Sequence, residues 1–218
     1  MVLYYITDRS YFADQGAFLN KIADAARSGV DYIQLREKDL PGRDLESLAR
    51  RVLREIQRQK SKTRLLINSR PDVAIAIGAD GVHLRSQDIA PHDARKIWRQ
   101  PQRLSGGADN AIREERPASI QHPAPIIGVS CHTVAEVERA SADGASFAVF
   151  GPVFAKANMR PVGLNALRQA CQQTVPVLAL GGITLENAQS CMEAGAVGIA
   201  GISLFQKNKI AEVLATLA

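Results

Sequence analysis

The sequence predicts an α/β fold, a closed (β/α)8 TIM barrel that forms a single domain over residues 1–218. Three observations support this fold: the chain length, a repeat that divides the chain into quarters, and an alternation of strand and helix patterns. The 218 residues, 46% of them hydrophobic and 22% charged, fit one domain with a large core. Barrels of this class take about 250 residues and sometimes fewer.

The repeat consists of four segments in which a glycine ends a helix and a buried strand follows after a short link. The segments are 28–35, 77–84, 143–150 and 194–201, and their glycines are Gly29, Gly78, Gly144 and Gly195. These glycines lie 49, 66 and 51 residues apart. A quarter of this length accommodates two βα units, so four quarters give the eight units of a barrel.

Further strands are predicted between these segments, at Val2–Ile6, Arg64–Asn68, Ile126–Ser130 and Val177–Ala179. Amphipathic patterns predict helices near 17–28, 44–59, 71–77, 91–98, 134–142, 164–173, 185–194 and 207–217. Apolar strands that alternate with such helices indicate a parallel sheet. An open doubly wound sheet is the competing arrangement, and the quarter repeat favours closure. The stretch at 99–124, rich in Pro, Gly, Gln and Arg, is interpreted as a loop excursion.

Composition and charge argue against a membrane, secreted or nucleic-acid-binding protein. No apolar run reaches the roughly 18 residues that span a bilayer, and a strand starting at Val2 leaves no room for a signal peptide. The three cysteines, Cys131, Cys171 and Cys191, lack metal-ligand spacing and suggest a reducing compartment. The net charge of +5 comes without any nucleic-acid motif and suits anionic substrates. We therefore expect a cytoplasmic protein with neither nucleic-acid nor membrane partners.

Polar side chains collect where the predicted strands end, and barrels of this class hold their catalytic residues there. Gln34, Arg36 and Lys38 share one face of an extended segment, and two cations with an amide suit a pyrophosphate. A solvated strand end with Glu37 as the ionic partner is the alternative.

Glycines and a serine follow the last two predicted strands, at Gly181-Gly182 and Gly201-Ile202-Ser203. Loops at these two places often bind phosphate through backbone N–H groups. Glycines used only for tight turns are the alternative, but two such loops together favour a phosphate site.

Four further residues near strand ends have alternative roles. Asp88 is either a ligand of Mg²⁺ beside bound phosphates or an N-cap or salt-bridged surface residue. His132, close to Ser130 after the fifth strand, is either a general acid or base or a structural group. His83 either packs or contacts ligand. Cys131 is expected to face away from its neighbours, which argues against a nucleophilic role.

Seven segments in order along the chain resemble the family of thiamin phosphate synthases and their relatives, the thiazole tautomerases. They read YYITDR at 4–9, YIQLREKDL at 32–40, LLINSRPDVAIAIGADGVHL at 65–84, IIGVSCHT at 126–133, FGPVF at 150–154, VPVLALGGITLENA at 175–188 and AGAVGIAGIS at 194–203. The QLREK, INxR…DGVHL and GGIT blocks together are specific to this family, which also implies the barrel fold.

The resemblance implies a transferase of thiamin biosynthesis that joins hydroxymethylpyrimidine pyrophosphate to thiazole phosphate and releases pyrophosphate. It implies Mg²⁺ as cofactor with Asp88 as its ligand, and catalytic roles for Arg36, Lys38, Ser130 and His132. The substrate-binding residues that it implies are Gln34, Arg36, Lys38, Asn68 and Ser130 for the pyrimidine, and Gly181, Gly182, Ile202 and Ser203 for the thiazole phosphate. A homo-oligomer is left open.

The chain departs from the family pattern at three places. Ser69 stands where the family has a metal-binding aspartate, and Arg85 stands where the family has a glycine. The loop 155–160 lacks the usual Thr-x-Thr-Lys run, and Lys156 or Arg160 could replace its lysine. Two other functions therefore stay open: a thiazole tautomerase with His132 as acid and base, and a diverged phosphate-ligand-binding barrel.

Overall fold

Eight parallel strands close into a barrel in the order of the sequence. The computed structural model describes residues 1–99, 124–155 and 160–217. The strands are β1 (Val2–Ile6), β2 (Tyr32–Leu35), β3 (Arg64–Asn68), β4 (Gly81–Leu84), β5 (Ile126–Cys131), β6 (Phe147–Phe150), β7 (Val177–Leu180) and β8 (Gly198–Gly201). Strand β8 pairs with β1 in the register Val2↔Gly198, and this pairing closes the barrel. The predicted closed barrel is confirmed, and the open doubly wound sheet is excluded.

Helices alternate with the strands and surround the barrel. They are α1 (Gln15–Arg27), α2 (Gly42–Arg58), α3 (Pro71–Ile77), α4 (Pro91–Arg99), α5 (Val134–Ala142), α6 (Gly163–Ala170), α7 (Ala188–Glu193), α8 (Ser203–Lys207) and α9 (Ile210–Leu217). The predicted excursion at 99–124 lies almost entirely outside the described residues. No helix in the described ranges combines the length and the apolar character that crossing a bilayer requires.

The strands bury both of their faces, which explains why they read as short apolar runs. Residues of one alternation, including Tyr4, Leu66 and Phe147, pack inside the barrel. Residues of the other alternation, including Leu35 and Cys131, pack against the helices. Because side chains alternate along a strand, the inward alternation continues at the strand ends into the predicted site residues.

The four repeat glycines adopt left-handed backbone conformations, as their predicted position at helix ends requires. Their φ angles are 87° at Gly29, 71° at Gly78, 77° at Gly144 and 100° at Gly195. Only glycine reaches this region without steric cost, so these residues stop each helix and turn the chain into the next strand.

The helix predicted near 207–217 corresponds to α9, and a separate short helix that was not predicted, α8, precedes it at Ser203–Lys207. Asn208 is extended and its side-chain amide donates to the Leu204 carbonyl at 2.8 Å, which ends α8. The apolar residues Phe205, Ile210 and Val213 are all buried on both sides of this break. Because the spacing of these apolar residues is compatible with a continuous helix, the sequence periodicity does not reveal the break.

Candidate active site

A cavity of about 490 Å³ opens at the carboxyl ends of the strands. Its wall contains every predicted site residue except Asp88, namely Gln34, Arg36, Lys38, Asn68, Ser130, His132, Gly181, Gly182, Ile202 and Ser203. We call this space the barrel cavity. A second cavity of about 500 Å³ lies on the other side of Arg36 and Lys38, beside Arg9 and Phe12. It contains none of the amide, hydroxyl or glycine residues of the predicted site, so we locate the chemistry in the barrel cavity.

Arg36 and Lys38 reach the barrel cavity from a segment that Glu37 anchors. Glu37 is buried and accepts hydrogen bonds from the Thr7 hydroxyl at 2.6 Å and from the Arg9 backbone N–H at 3.1 Å. The Thr7 hydroxyl oxygen in turn accepts the Arg36 backbone N–H at 3.0 Å. Glu37 therefore pairs with Arg9, and the alternative in which it pairs with Arg36 or Lys38 is wrong.

The two cations of this segment face a shared space without carboxylate partners. Among the described residues, neither Arg36 nor Lys38 forms an ion pair. Repulsion from Arg36, followed by burial and by repulsion from Arg85, lowers the pKa of Lys38. An anion placed between these groups relieves the repulsion, because it gains Coulomb energy from each of them.

Gln34 and Asn68 form a hydrogen-bonded pair of amides on the floor of the cavity. The Gln34 Nε2 group donates to Asn68 Oδ1 at 2.8 Å, and Asn68 Nδ2 donates to Ser69 Oγ at 3.2 Å. Gln34 is almost fully buried, and its Oε1 atom has no hydrogen-bond partner among the described residues. An unpartnered buried acceptor is costly, so the cavity is prepared for a ligand that donates a hydrogen bond here.

Ser130 is hydrogen-bonded to the buried His83. From the sequence, two roles of His83 remained open, namely packing and ligand contact. His83 Nε2 lies 2.8 Å from Ser130 Oγ, and His83 Nδ1 lies 3.1 Å from the Tyr4 hydroxyl. The His83 ring lies inside the barrel with Tyr4 and Phe147 around it. This chain of hydrogen bonds holds the Ser130 side chain in the wall of the barrel cavity.

Burial lowers the pKa of His83 from 6.5 to about 3, with Asp88 opposing the shift and Arg36 adding to it. A histidine whose pKa is lower in the folded than in the unfolded state favours unfolding when it is protonated. Its contribution to stability is complete above pH 6.5 and is lost as the pH falls toward 3. Each unit of difference corresponds to about 1.4 kcal/mol.

We expect acid to reduce the free energy of unfolding by several kcal/mol between pH 6.5 and pH 3, with His83 as a main cause. In His83→Gln, which cannot take up a proton in this range, urea unfolding should show a clearly shallower dependence on pH. An unchanged slope in His83→Gln would show that His83 does not take up the proton.

His132 lies at the cavity wall with one ring nitrogen fixed. Its Nδ1 atom lies 2.6 Å from the Gly151 carbonyl oxygen. A carbonyl oxygen only accepts, so Nδ1 carries the hydrogen and Nε2 of the neutral ring keeps its lone pair. His132 therefore offers a hydrogen-bond acceptor or a base to the cavity.

Cys131 faces away from the neighbouring side chains Ser130 and His132, as predicted. Its side chain packs on the helix side of β5, and burial raises the pKa of its thiol to about 12. Because the reactive form of cysteine is the thiolate, this residue is unsuited to nucleophilic chemistry.

Two glycines shape the opposite wall. Gly181 has φ 95° and Gly182 has φ 66°. A Cβ atom would lie 2.6 Å from Pro152 Cα at the first position and 2.8 Å from the Ala155 carbonyl oxygen at the second. Glycine is therefore required by close packing as well as by backbone conformation, and the loop brings bare backbone to the cavity.

Asn187 stabilises this loop from below. Its amide nitrogen donates to the Gly182 carbonyl oxygen at 3.0 Å, and its side-chain oxygen accepts the Thr184 N–H at 2.8 Å. The helix predicted near 185–194 begins only at Ala188. The turn between Thr184 and Asn187 instead holds the glycine loop at 181–182 in place.

Asp88 is engaged by Ser69 and Arg85. Its Oδ2 atom accepts the Ser69 hydroxyl at 2.6 Å and the Arg85 N–H at 2.8 Å. Its Oδ1 atom accepts Arg85 Nε at 3.1 Å and Nη2 at 2.9 Å. Burial alone raises the pKa of Asp88, but these hydrogen bonds outweigh burial and lower it. Asp88 thus follows the alternative that the sequence left open, a salt-bridged aspartate.

These residues do not fit a Mg²⁺ site. Mg²⁺ in proteins is bound by one or two carboxylates together with phosphates and water. Among the described residues, Asp88 is the one carboxylate at this place, and its oxygens already accept four hydrogen bonds from Ser69 and Arg85. The Arg85 guanidinium also carries the same sign of charge as the metal. The described residues contain no group of three acidic, histidine or cysteine side chains arranged to hold a metal.

Lys156 and Arg160 are the two alternatives for the lysine that the loop 155–160 lacks. Lys156 lies outside the described residues. Arg160 is exposed and does not belong to the wall of the barrel cavity.

Comparison with known proteins links the barrel to one family. A family model described as thiamine monophosphate synthase matches residues 3–117 and 105–205. The thiamine-phosphate synthase of Clostridium novyi is 36% identical over 94% of this chain and 91% of that protein. The thiamine-phosphate synthase of Methanoculleus marisnigri is 37% identical over 92% of this chain and 85% of that protein. A solved thiamine phosphate pyrophosphorylase from Pyrococcus furiosus superposes with a TM-score of 0.76 at 27% identity, covering 100% of this chain and 97% of that one.

Proposed function

The chain belongs to the thiamine monophosphate synthase family, and from this premise we propose that it joins hydroxymethylpyrimidine pyrophosphate to thiazole phosphate. The observation that carries the proposal is the layout of the barrel cavity. Arg36 and Lys38 lie at one side without ionic partners, and the glycine loop at 181–182 lies in the same cavity. One reaction with two phosphorylated substrates needs two anion subsites that face a common centre.

The reaction exchanges one bond for another. The bond between the methylene carbon of the pyrimidine and the oxygen of the pyrophosphate breaks, and the oxygen keeps the electron pair. The thiazole nitrogen then supplies its lone pair to that carbon, which yields thiamine phosphate and inorganic pyrophosphate. Negative charge grows on the leaving oxygen in the transition state, so cations fixed at that place accelerate the reaction.

Each wall of the cavity has a part in this reaction. Arg36 and Lys38 bind the pyrophosphate and stabilise the charge that develops as it leaves. The unpartnered Oε1 of Gln34 accepts a hydrogen bond from an amino group of the pyrimidine, with Asn68 fixing the amide. Ser130, oriented by His83, contacts the same ring.

The thiazole phosphate is assigned to the loops after β7 and β8. Gly182 and Ser203 both line the barrel cavity, and the backbone N–H groups of these two loops are the donors that we assign to the phosphate oxygens. This assignment places the thiazole ring across the cavity from Arg36, so its nitrogen faces the carbon that loses pyrophosphate.

The most direct kinetic test follows pyrophosphate release by the purified protein. We expect release only when both precursors are present, in a ratio of one pyrophosphate to one thiamine phosphate. Omitting either precursor is the control. Release of pyrophosphate from the pyrimidine alone, without thiamine phosphate, would indicate a hydrolase and contradict the proposal.

A thiazole tautomerase is the second candidate, and the geometry of His132 favours it. The free Nε2 lone pair can take up a proton from the ring and return it elsewhere. Such a reaction has less use for Arg36 and Lys38 than the synthase reaction has.

Replacing His132 with alanine separates the two functions. Bond cleavage in the synthase needs no proton transfer from this residue, so we expect its rate to fall by less than about tenfold. Loss of a general acid or base would lower a tautomerase rate by about 10² to 10⁴. Cys131→Ala, one residue away and facing the helices, controls for local disturbance. A fall of that size in pyrophosphate release would give His132 a direct part in the synthase.

A further inference from the structure

Arg85 is a cation of the barrel cavity. In the sequence it stands out only as a departure from the family pattern. It directly follows β4, two residues after the inward-facing His83, and it forms part of the cavity wall with Arg36 and Lys38. Its side chain is 60% exposed although it forms an ion pair. The guanidinium is therefore both positioned and accessible to a ligand.

We propose that Arg85 is a third cation of the pyrophosphate subsite, positioned by Asp88 and Ser69, and that it takes the place of a divalent metal ion there. The inference rests on the proposed function for the identity of the ligand. It adds a binding residue to that function, and it states that pyrophosphate binding by this chain does not depend on Mg²⁺.

Asp88 holds the guanidinium in a fixed orientation. Two donors of Arg85, Nε and Nη2, lie 3.1 Å and 2.9 Å from Asp88 Oδ1. A guanidinium has five N–H donors, so this contact leaves others for a second anion. Planar contacts of this kind restrict the rotation of the side chain, which lowers the entropy lost when a phosphate binds.

Ser69 completes the support for Asp88. Its hydroxyl donates to Asp88 at 2.6 Å and accepts from Asn68 at 3.2 Å. The same contacts connect Arg85 to the amides on the cavity floor, through Asp88, Ser69 and Asn68. A carboxylate at position 69 would instead repel Asp88, because like charges this close are unfavourable.

The charges balance without a metal ion. Arg36, Lys38 and Arg85 carry three positive charges and Asp88 carries one negative charge, which leaves a net positive site for a polyanion. The mutual repulsion of the three cations already affects Lys38, since Arg36 and Arg85 both contribute to lowering its pKa. A divalent cation in the same space would add to this repulsion.

Calorimetry with inorganic pyrophosphate tests the proposal. In EDTA, we expect the wild-type protein to bind pyrophosphate with an affinity within about threefold of that in saturating Mg²⁺. Arg85→Gln should weaken binding by about 10- to 100-fold in EDTA, the scale of a charge-assisted hydrogen bond. Arg64→Gln is the matched control, because Arg64 is 57% exposed, pairs with Asp80 and begins β3 at the far end of the barrel.

A second variant covers the case in which Arg85→Gln disturbs the loop. Ser69→Asp combined with Arg85→Gly removes the cation and adds a carboxylate beside Asp88. We expect this double variant to bind pyrophosphate weakly in EDTA and to regain at least tenfold in affinity with Mg²⁺. The wild-type protein should show no such gain.

The outcomes separate this inference from the proposed function. Wild-type binding that disappears in EDTA and returns with Mg²⁺, in Arg85→Gln as in the wild type, would overturn the role of Arg85. Failure of the wild type to bind pyrophosphate in either condition would also overturn it. Formation of thiamine phosphate only with Mg²⁺ would reject this inference and leave the synthase standing. If no thiamine phosphate forms from both precursors in either condition, the synthase is rejected. The role of Arg85 is then still tested by the affinity for pyrophosphate in EDTA.

Discussion

Arg36→Ala is expected to weaken inorganic pyrophosphate binding by about 1.5–3 kcal/mol, the value of a hydrogen bond to a charged group. Arg36 lies in the cavity wall without an ionic partner among the described residues, so no internal contact compensates for its loss. The effect on kcat should be larger, about 10² to 10³, because negative charge on the leaving oxygen increases between the bound substrate and the transition state.

Calorimetry gives the binding change, and steady-state kinetics with both precursors gives the change in kcat. Arg36→Lys keeps the charge and should recover part of both losses. Arg27→Ala, on the exposed end of α1 beside Gln59, is the control and should leave both quantities unchanged. If Arg36→Ala binds pyrophosphate as the wild type does, the cationic segment is not the pyrophosphate subsite.

Gly198→Ala should cause a large loss of stability. Gly198 pairs with Val2 where β8 meets β1, and an added Cβ would lie 2.0 Å from the Val2 carbonyl oxygen. Since the clash involves two backbones, relief requires the strands to separate. We expect the free energy of unfolding to fall by about 3 kcal/mol or more, at the upper end of the cost of overpacking.

Chemical denaturation measures this loss, and Gly144→Ala provides the comparison. Gly144 has φ 77° and nothing within 4 Å of an added Cβ, so its cost is the conformational one of about 1–2 kcal/mol. Equal losses in the two variants would show that close packing at the β8–β1 seam does not limit the fold.

The architecture could be predicted from the sequence because its signals are local. The repeat glycines mark helix ends at fixed places, and the strands between them bury both faces and read as apolar runs. The position of the site followed from the same pattern, since Gln34, Arg36 and Asn68 extend an alternation that points into the barrel. Residues that interrupt local patterns, such as Asn208 between α8 and α9, escaped prediction.

The partners of the site residues could not be predicted, because they depend on which strand ends become neighbours. Glu37 pairs with Arg9, 28 positions earlier in the chain, rather than with the cations on either side of it. His83 joins Tyr4 and Ser130, which lie 79 and 47 positions away. Arg85 and Asp88 are close in sequence, but nothing in the sequence shows that Asp88 accepts hydrogen bonds from both Arg85 and Ser69.

A crystal structure of the protein with thiamine phosphate and inorganic pyrophosphate tests the central claim most directly. That claim is that one cavity at the strand ends holds two separate phosphate subsites across a common centre. We expect pyrophosphate on Arg36, Lys38 and Arg85, and the phosphate of thiamine phosphate on the loops at Gly182 and Ser203. Pyrophosphate bound at the glycine loop, or either ligand bound outside the barrel cavity, would contradict it.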